Sequence, residues 1–424
     1  MEMNHLSDII DPIVLEPPFQ LEESWFKKTI GILKSRINNC GFEGILLKNP
    51  WNILYFSGLS CWTTERPFWL FIPAKGEPSF YYPALDKELI DTWWIKDGAW
   101  YFDYPHCGPY NQTVFQSGEK QDLFVWLLEN LAERGFSKAR IGIDTEFSGS
   151  ENLTAKKSFP EIKFETAADI CLQMRQIKSD EEIQLISNAI YLQDHLLEYA
   201  RRLIIEFTSR ITDFAVQHEV KRYGTELLMK YCKVDGSLHK GTGIDMAFTC
   251  RAGKTTAFPH PNQFYYHTIE RGDPIQLAGF IHIGGYVGEG YRALHVNPIT
   301  AEQLKMWEVH TEMANVQTSF MRPGVLCSEV CSKVLEVAER NGMEKYVFHR
   351  PAHGIGMEGH QPPFIALADH TPLEENMVFS NEPGLYDPAS GYGYNHSNTI
   401  LVTRNGGKQI NTTPMTKEWC FLNT

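Results

Sequence analysis

Residues 353–403 concentrate polar side chains of catalytic type around two short apolar runs. The stretch reads HGIGMEGHQPP, then MVFSNEPGLY, then GYGYNHSNTILVT, and it contains His353, His360 and Glu382. Successive side chains of a strand point to opposite faces, so each apolar run can carry every second polar residue to one face. The pattern predicts neighbouring strands that present imidazole and carboxylate groups to a common cleft.

These blocks, in this order, resemble the creatinase, prolidase and methionine aminopeptidase family, whose catalytic domain has the pita-bread fold. The block MRQIKSDEE at residues 174–182 and the phrase NPWNILYFSG at residues 49–58 resemble the same family. The resemblance implies an α/β amino-terminal domain plus an α+β pita-bread carboxy-terminal domain, as in creatinase and aminopeptidase P. We place these domains at residues 1–172 and 173–424.

Local signals agree with this organisation. A chain of 424 residues is long enough for two cores. Ser179 and Glu182 predict a capping box, because a serine at the N-cap and a glutamate three residues later bond to each other's backbone N–H groups. Helices are also predicted at residues 23–39, 122–133, 301–320 and 328–340, and buried strands at residues 44–47, 68–72, 79–82 and 140–143.

Charge and cysteine content limit the partners and the compartment. The formal net charge is −13 and no basic cluster is longer than Arg201-Arg202, which argues against a nucleic-acid partner. Nine scattered cysteines, and a start without a basic end and an apolar run, predict a cytoplasmic protein with reduced thiols. No apolar run approaches membrane-spanning length, so no membrane partner is expected. The expected partners are a small-molecule substrate and, from the resemblance, a second copy in a homodimer.

The resemblance also implies where metal ligands belong. In metal-dependent members of the family, two aspartates, a histidine and two glutamates hold two divalent ions, and carboxylates are needed because ions about 3.5 to 4 Å apart repel each other. In the same order, the matching residues here are Ala278, Glu289, His353, Glu382 and Ser397. We therefore predict no two-metal centre and no cofactor. A single ion held by Glu289, His353 and Glu382 stays open as an alternative.

Retention of the blocks without the metal ligands resembles the creatinase branch, which is metal-free and hydrolyses a carbon–nitrogen bond in a small zwitterion. Without a metal, a histidine that titrates near neutrality is the usual group that activates water. His260 matches the family's cleft histidine, so we predict that it is the general base and acid, and that His353, Glu289 and Glu382 complete the catalytic set. The alternative is that His260 only packs in a proline-bounded loop.

Other residues are predicted to bind the substrate. Arg66 resembles the creatinase arginine that binds a substrate carboxylate, a task for which a guanidinium fork is suited. The alternative is a surface ion pair with Glu65. Arg292 matches a family arginine, with structural bracing as its alternative, and nearby aromatic residues are compatible with a cage for a cationic group. The predicted substrate contacts are Arg66, His360, Arg292, Trp62, Tyr286, Tyr291, Tyr394 and Ser397.

The leading functional hypothesis is a metal-independent hydrolase of an amide or amidine bond in a small zwitterionic substrate. The first alternative is an Xaa-Pro aminopeptidase or dipeptidase with a depleted metal site. Two further alternatives are a non-catalytic binding module and a lyase for a sulfonium osmolyte, because a fold does not by itself determine a function.

Overall fold

The computed structural model describes residues 13–61, 64–103, 122–232, 245–260 and 266–424. Within these ranges the chain forms two compact units. One unit is residues 21–175, and the other combines residues 13–20 with the chain from residue 176 onward. The division after residue 175 lies close to the boundary that we place at residues 172 and 173.

The amino-terminal unit is a six-stranded mixed sheet with helices around it, which agrees with the expected α/β class. Its strands are β1 (Gly44–Leu47), β2 (Trp69–Pro73), β3 (Ser79–Pro83), β4 (Asp97–Tyr101), β5 (Arg140–Ile143) and β6 (Lys163–Thr166), in the spatial order β4-β3-β2-β1-β5-β6. Its helices are α1 (Glu23–Asn39), α2 (Pro50–Ser57), α3 (Lys87–Thr92), α4 (Leu123–Leu131), α5 (Gly149–Ser158) and α6 (Ala168–Gln176).

The core of this unit explains why its strands read as continuous apolar runs. Leu46, Phe71 and Ile141 from adjacent strands are buried together with Leu127 and Leu131 of α4. Strands that are covered on both faces need apolar side chains on both, so they lack the alternation of a half-exposed sheet.

In its described residues, the carboxy-terminal unit has three sheets and five helices, the α+β composition expected of a pita-bread domain. Its helices are α7 (Asp180–Phe207), α8 (Asp213–Tyr231), α9 (Ala301–Phe320), α10 (Cys327–Arg340) and α11 (Lys417–Cys420). Its strands are β7 (Asp245–Ala252), β8 (Pro274–Ile283), β9 (Tyr286–Val296), β10 (Ala352–Gly354), β11 (Gln361–Ile365), β12 (Val378–Asn381), β13 (Gly384–Asp387), β14 (Tyr392–Asn395), β15 (Asn398–Thr403), β16 (Gly406–Gln409) and β17 (Phe421–Leu422).

Two of these sheets carry the residues of interest. One has the order β17-β9-β8-β7, and the other has the order β11-β10-β12-β15-β16. In the first sheet Ala278 pairs with Tyr291, and in the second His353 pairs with Ser380. An isolated antiparallel bridge between Tyr291 and Ser397 connects the two sheets. The register therefore brings the middle of β9 next to the segment that precedes β15.

Helix α7 begins at the predicted capping box and lies close to β8 and β9. The Glu182 carboxylate accepts from the Ser179 N–H at 2.6 Å, and the Ser179 hydroxyl accepts from the Glu182 N–H at 3.4 Å. The close approach requires glycine at 288, because a Cβ there would lie 2.8 Å from the Ala189 Cβ. The capping box and this contact together fix α7 against the sheet that carries Glu289.

Among the described residues, no helix is both long enough and apolar enough to cross a bilayer.

Candidate active site

Three of the predicted catalytic residues form one buried cluster. Glu289 lies in the middle of β9, His353 lies on β10, and Glu382 directly follows β12. His353 Nε2 is 3.3 Å from Glu382 Oε1 and 3.7 Å from Glu289 Oε2. One ligand-type atom from each residue lies within 4.8 Å of the other two. The folding of two separate sheets thus brings together groups that are 93 residues apart in the sequence.

Burial is the largest single influence on the pKa of each group. It raises the pKa of Glu289 to about 7, which the charge of His353 opposes and the charge of Glu382 reinforces. Burial lowers the pKa of His353, but its close contact with Glu382 and the two carboxylate charges outweigh it, so the net shift is upward. Burial raises the pKa of Glu382, and the contact with His353 and its charge outweigh it, so the net shift is downward. The cluster therefore favours an imidazolium paired with the Glu382 carboxylate.

Glu289 differs from an ordinary buried carboxylate in its lack of well-formed hydrogen bonds. Both of its oxygens are inaccessible to solvent, and neither has a partner of good geometry among the described residues. The hydroxyls of Tyr291 and Ser380 lower its pKa only as minor causes. A buried carboxylate without donors is costly for folding, and such groups are typical of functional sites.

The two positions without a carboxylate lie in the same place as the cluster. Ala278 lines the cavity described below and is paired with Tyr291, the residue two after Glu289 on β9. The Ser397 hydroxyl is 2.9 Å from that of Ser380, the cross-strand partner of His353. An alanine methyl and a serine already paired with another hydroxyl cannot bridge two cations, so the donor set does not fit a two-metal centre. The three remaining donors do fit a single divalent ion.

A cavity of about 600 Å³ opens beside the cluster. The predicted site residues that line it are His260, Tyr291, His360 and Glu382. Glu289 and His353 are fully buried next to Glu382. The cavity is large enough for a small substrate and places it against the carboxylate and imidazole groups.

His360 stacks on His353, with ring centroids 3.7 Å apart and planes inclined by 17°. Burial lowers the pKa of His360 to about 4, and the neighbouring His353 acts in the same direction. His360 is therefore a neutral imidazole at physiological pH, next to a histidine that favours its charged form. One of these two rings can donate from both nitrogens, and the other retains an acceptor nitrogen.

His260 is exposed in the cavity wall, and its loop is hydrogen-bonded to a buried arginine. Arg251 Nη1 donates to the carbonyl oxygens of Phe258 at 2.8 Å and Pro259 at 3.1 Å. These two residues directly precede His260. The histidine is thus accessible to water and to a bound molecule, while its backbone is anchored.

Arg292 does not line the cavity, and the prediction that it contacts substrate is corrected in favour of structural bracing. Its side chain is fully buried. Its guanidinium donates to the carbonyl oxygen of Ser397 and to the side chain of Asn398, each at 2.9 Å. It therefore ties β9 to the start of β15.

Tyr286 and Tyr394 are also buried away from the cavity, which corrects their prediction as substrate contacts. The Tyr286 hydroxyl donates to Glu182 at 2.8 Å. The Tyr394 hydroxyl is 3.1 Å from His295 Nδ1, and its ring stacks on His310. Of the predicted aromatic set, Tyr291 does line the cavity.

The alternation of side chains along a strand explains which of the predicted residues reach the site and which do not. On β9 the odd-numbered Glu289 and Tyr291 belong to the site, whereas Tyr286 and Arg292 point to the opposite side. The same parity turns His396 away from Ser397, as expected from alternation: its ring packs 4.5 Å from that of His310. Applying the period of two along each strand would have removed Tyr286, Arg292 and Tyr394 from the predicted set.

Two predicted substrate contacts belong to another part of the chain. Arg66 lies in the amino-terminal unit, where it pairs with Glu65 at 2.7 Å and Asp103 at 3.5 Å. The pair with Glu65 is the alternative that the sequence offered for this arginine. Trp62 lies outside the described residues, so its predicted role stays a prediction.

The cavity also contains residues that the sequence reasoning missed as site residues. The polar ones are Thr249, Arg251, His349, Arg350 and Tyr386. Thr249 pairs directly with Ala278, and Arg251 follows it on the same face of β7, so the register alone places both. His349 and Arg350 precede the HGIG block and carry no periodic signal that could have identified them.

Buried carboxylates and imidazoles beside a cavity have the composition of an acid–base catalytic site, on the two-domain scaffold that the resemblance to the peptidase and creatinase family implies. Comparison with known proteins agrees with this. Residues 188–404 match metallopeptidase family M24, and residues 31–177 match the creatinase/prolidase N-terminal domain. The chain therefore belongs to the metallopeptidase family M24, whose members include prolidases and creatinase.

Individual relatives cover nearly the whole chain. The Xaa-Pro dipeptidase of Pyrococcus furiosus is 29% identical over 88% of this chain and 94% of its own length. The creatinase of a Bacillus species is 22% identical over 95% of this chain and 94% of its own. The crystal structure of a prolidase from Thermococcus sibiricus superimposes with a TM-score of 0.75 at 19% identity, over 92% of this chain and 97% of that one. The similarity to the solved structure supports the fold.

Proposed function

We propose that this hydrolase cleaves a carbon–nitrogen bond, in an amide or amidine of a small zwitterionic substrate, without a two-metal centre. The observation that carries the proposal is the position of Ala278 and Ser397. Both lie at the site, next to a retained cluster of two carboxylates and an imidazole, and neither can bridge cations.

The chain's own residues then divide the chemistry. His260 is exposed in the cavity wall, so it takes a proton from the attacking water and returns it to the leaving nitrogen. His353, held between Glu289 and Glu382, and Glu289 itself stabilise the charge that develops on the carbonyl oxygen or amidine nitrogen and on the leaving nitrogen. His360 keeps the His353 ring in place by stacking on it.

The proposal is tested by a substrate screen on protein treated with a chelator. We expect the treated protein to hydrolyse a member of a panel of small amides, amidines and Xaa-Pro dipeptides as fast as untreated protein, with products followed by NMR. His260→Ala is expected to lower turnover by about 100-fold or more, as is typical when a general base is lost. His218→Ala, which removes an exposed histidine of α8, is the matched control and leaves turnover unchanged.

Loss of activity on chelation, with recovery when a divalent ion is returned, contradicts the metal-independent part of the proposal. Binding of panel members without turnover, in the parent and in His260→Ala alike, favours a non-catalytic binding module instead.

The second candidate is an Xaa-Pro dipeptidase that uses one metal ion. It is supported by the three donors of Glu289, His353 and Glu382 and by the relatives named Xaa-Pro dipeptidases. A divalent ion held there would polarise a carbonyl and activate a bound water. Hydrolysis of Xaa-Pro dipeptides that requires one added Mn²⁺ or Zn²⁺ per chain favours this candidate over the first.

We also propose that the protein is a cytoplasmic homodimer. The eight cysteines in the described ranges are all free thiols, as expected in a reducing compartment. The dimer is proposed from the family resemblance. Light scattering coupled to size-exclusion chromatography tests it, and a monomer at micromolar concentration contradicts it.

A further inference from the structure

Arg350 lies in the cavity wall with its guanidinium held on an aromatic ring. The guanidinium carbon is 4.1 Å from the ring centroid of Phe364. Phe364 is the cross-strand partner of His353, so the register places the guanidinium near the buried cluster. An arginine that stacks on a ring uses its face for that contact, and its N–H edge stays available for in-plane hydrogen bonds.

Arg350 has no carboxylate within ion-pair distance in the part of the chain that the structure describes. Both carboxylates of the cluster, Glu289 and Glu382, interact with His353 instead. Arg66, the arginine that the sequence suggested for a substrate anion, already pairs with two carboxylates. Of these two arginines, Arg350 is the one whose charge is not balanced by a protein carboxylate.

The neighbouring cavity wall adds to the positive character of this place. Arg251 lines the same cavity, and Arg350 and His260 both act to lower the pKa of the adjacent His360. The whole chain has a net charge of −13, so this local concentration of basic groups is not an average property of the surface. A cavity of this kind attracts an anionic group.

We propose that Arg350, seated on Phe364, binds the anionic group of the substrate and that this group is a carboxylate. A single guanidinium edge matches the two oxygens of a carboxylate in a bidentate pair. A phosphate dianion is disfavoured, because Glu382 lines the same cavity and would repel the second charge. The proposal rests on the proposed function, since it names the residue that selects the substrate of the same site.

The experiment compares two probes that differ only in the carboxylate, N-acetylglycine and N-acetylglycinamide. Their dissociation constants are measured by ligand-observed NMR with the parent and with Arg350→Gln. We expect the parent to bind the acid about tenfold more tightly than the amide, because a hydrogen bond to a charged group contributes about that factor. Arg350→Gln removes this preference, and Arg322→Gln, which changes an exposed arginine of the same unit, retains it.

Two further variants separate binding from mere support of the fold. Arg350→Lys keeps the charge but loses the fork, and Phe364→Leu keeps the arginine but removes its aromatic seat, so each is expected to reduce the preference without abolishing it. Affinity of the amide, which needs no anion site, is expected to be unchanged in all of these variants. A structural role alone would weaken both probes together.

Equal affinities for the two probes in the parent, absence of binding by either, or an unchanged preference in Arg350→Gln each overturn the proposal. The same spectra report turnover through product signals. A carboxylate preference that depends on Arg350, in a protein that hydrolyses no panel substrate, supports the anion site and contradicts the proposed function. Hydrolysis of panel substrates at rates that do not depend on a carboxylate supports the proposed function and contradicts the anion site.

Discussion

The site has two halves with the same backbone support and opposite chemistry. In the charged half, the buried His353 lies within ion-pair distance of Glu289, which is also buried, and of Glu382, which borders the cavity. In the neutral half, Ala278 and Ser397 offer a methyl group and a hydroxyl bonded to another hydroxyl. Strand pairing and the bridge between Tyr291 and Ser397 fix the two halves next to each other.

The difference shows what determines whether such a site can hold two cations. The strands position side chains, but only anionic side chains compensate the repulsion between two ions. With two carboxylates gone, the remaining three groups share protons among themselves, and the positive charge in the cluster is that of His353. The loss of charge in one half therefore changes the chemistry available to the other.

The largest effect is expected when carboxylates are introduced at both positions of the neutral half. In Ala278→Asp/Ser397→Glu, the added buried charges are expected to lower the free energy of unfolding by roughly 3–5 kcal/mol without metal. Mn²⁺ is expected to reverse this loss, because two ions then compensate the carboxylates. Urea denaturation with and without Mn²⁺ measures both effects.

Ala278→Asn/Ser397→Gln has nearly the same shape without charge and serves as the control, for which the Mn²⁺ effect is expected to be no larger than in the parent, because it keeps only the three donors that the parent has. Should the charged variant ignore Mn²⁺, the two positions do not face the cluster as described.

Glu182 is a buried carboxylate outside the site, and it can be compared with Glu289 of the charged half. Burial raises the pKa of Glu182 to about 7, even though it has the hydrogen bonds from Ser179 and Tyr286 that Glu289 lacks. The folded state therefore holds the Glu182 proton more tightly than the unfolded chain does. The contribution of this group to the free energy of unfolding is complete below about pH 4.5 and is lost as pH rises through about 7, by roughly 3 kcal/mol at most.

Glu182→Gln is expected to remove the part of the decline in stability that Glu182 contributes and to leave the part that Glu289 contributes, since glutamine retains the capping box but does not titrate. Urea denaturation at about pH 5 and about pH 7.5 is the measurement. An identical loss of stability between the two pH values in parent and variant would assign the slope to other groups.

An intermediate loss of stability is expected when the loop of His260 loses its hydrogen bonds to Arg251. Arg251→Met leaves the carbonyl oxygens of Phe258 and Pro259 without their buried donor, so we expect the free energy of unfolding to fall by about 2 kcal/mol. Turnover is expected to fall further than stability explains, because His260 loses its position. Arg251→Lys retains a donor and is expected to recover part of both; equal turnover in all three proteins would show that the anchor is not needed.

The smallest expected effect lies in the neutral half. Ser397→Ala removes one member of the hydroxyl pair with Ser380 and is expected to lower the free energy of unfolding by about 1 kcal/mol. Ser319→Ala, at an exposed position of α9, is the control. A loss several times larger would mean that Ser397 supports more of the site than this one contact.

The sequence predicted those features that depend on local chemistry. The capping box of Ser179 and Glu182 is present, and the helix predicted at residues 301–320 has those bounds, because caps and terminal breakers act over a few residues. The gathering of His353, Glu289 and Glu382 was also expected, because the resemblance carried over a ligand set that the family brings together in space.

Features that depend on the face of a strand or on distant packing were predicted less well. Tyr286, Arg292 and Tyr394 are close in sequence to site residues but lie on the opposite face, because one residue along a strand reverses the side. Arg350 could not be identified, since its role depends on the ring of Phe364 on another strand and on the absence of a nearby carboxylate in the described ranges.

The metal stoichiometry of the parent protein tests the central claim most directly. After exposure to excess Mn²⁺, Zn²⁺ or Co²⁺ and removal of free ions, bound metal per chain is measured by inductively coupled plasma mass spectrometry. With alanine and serine in the neutral half, no more than one equivalent is expected for any of these metals. Two equivalents retained per chain would contradict the account.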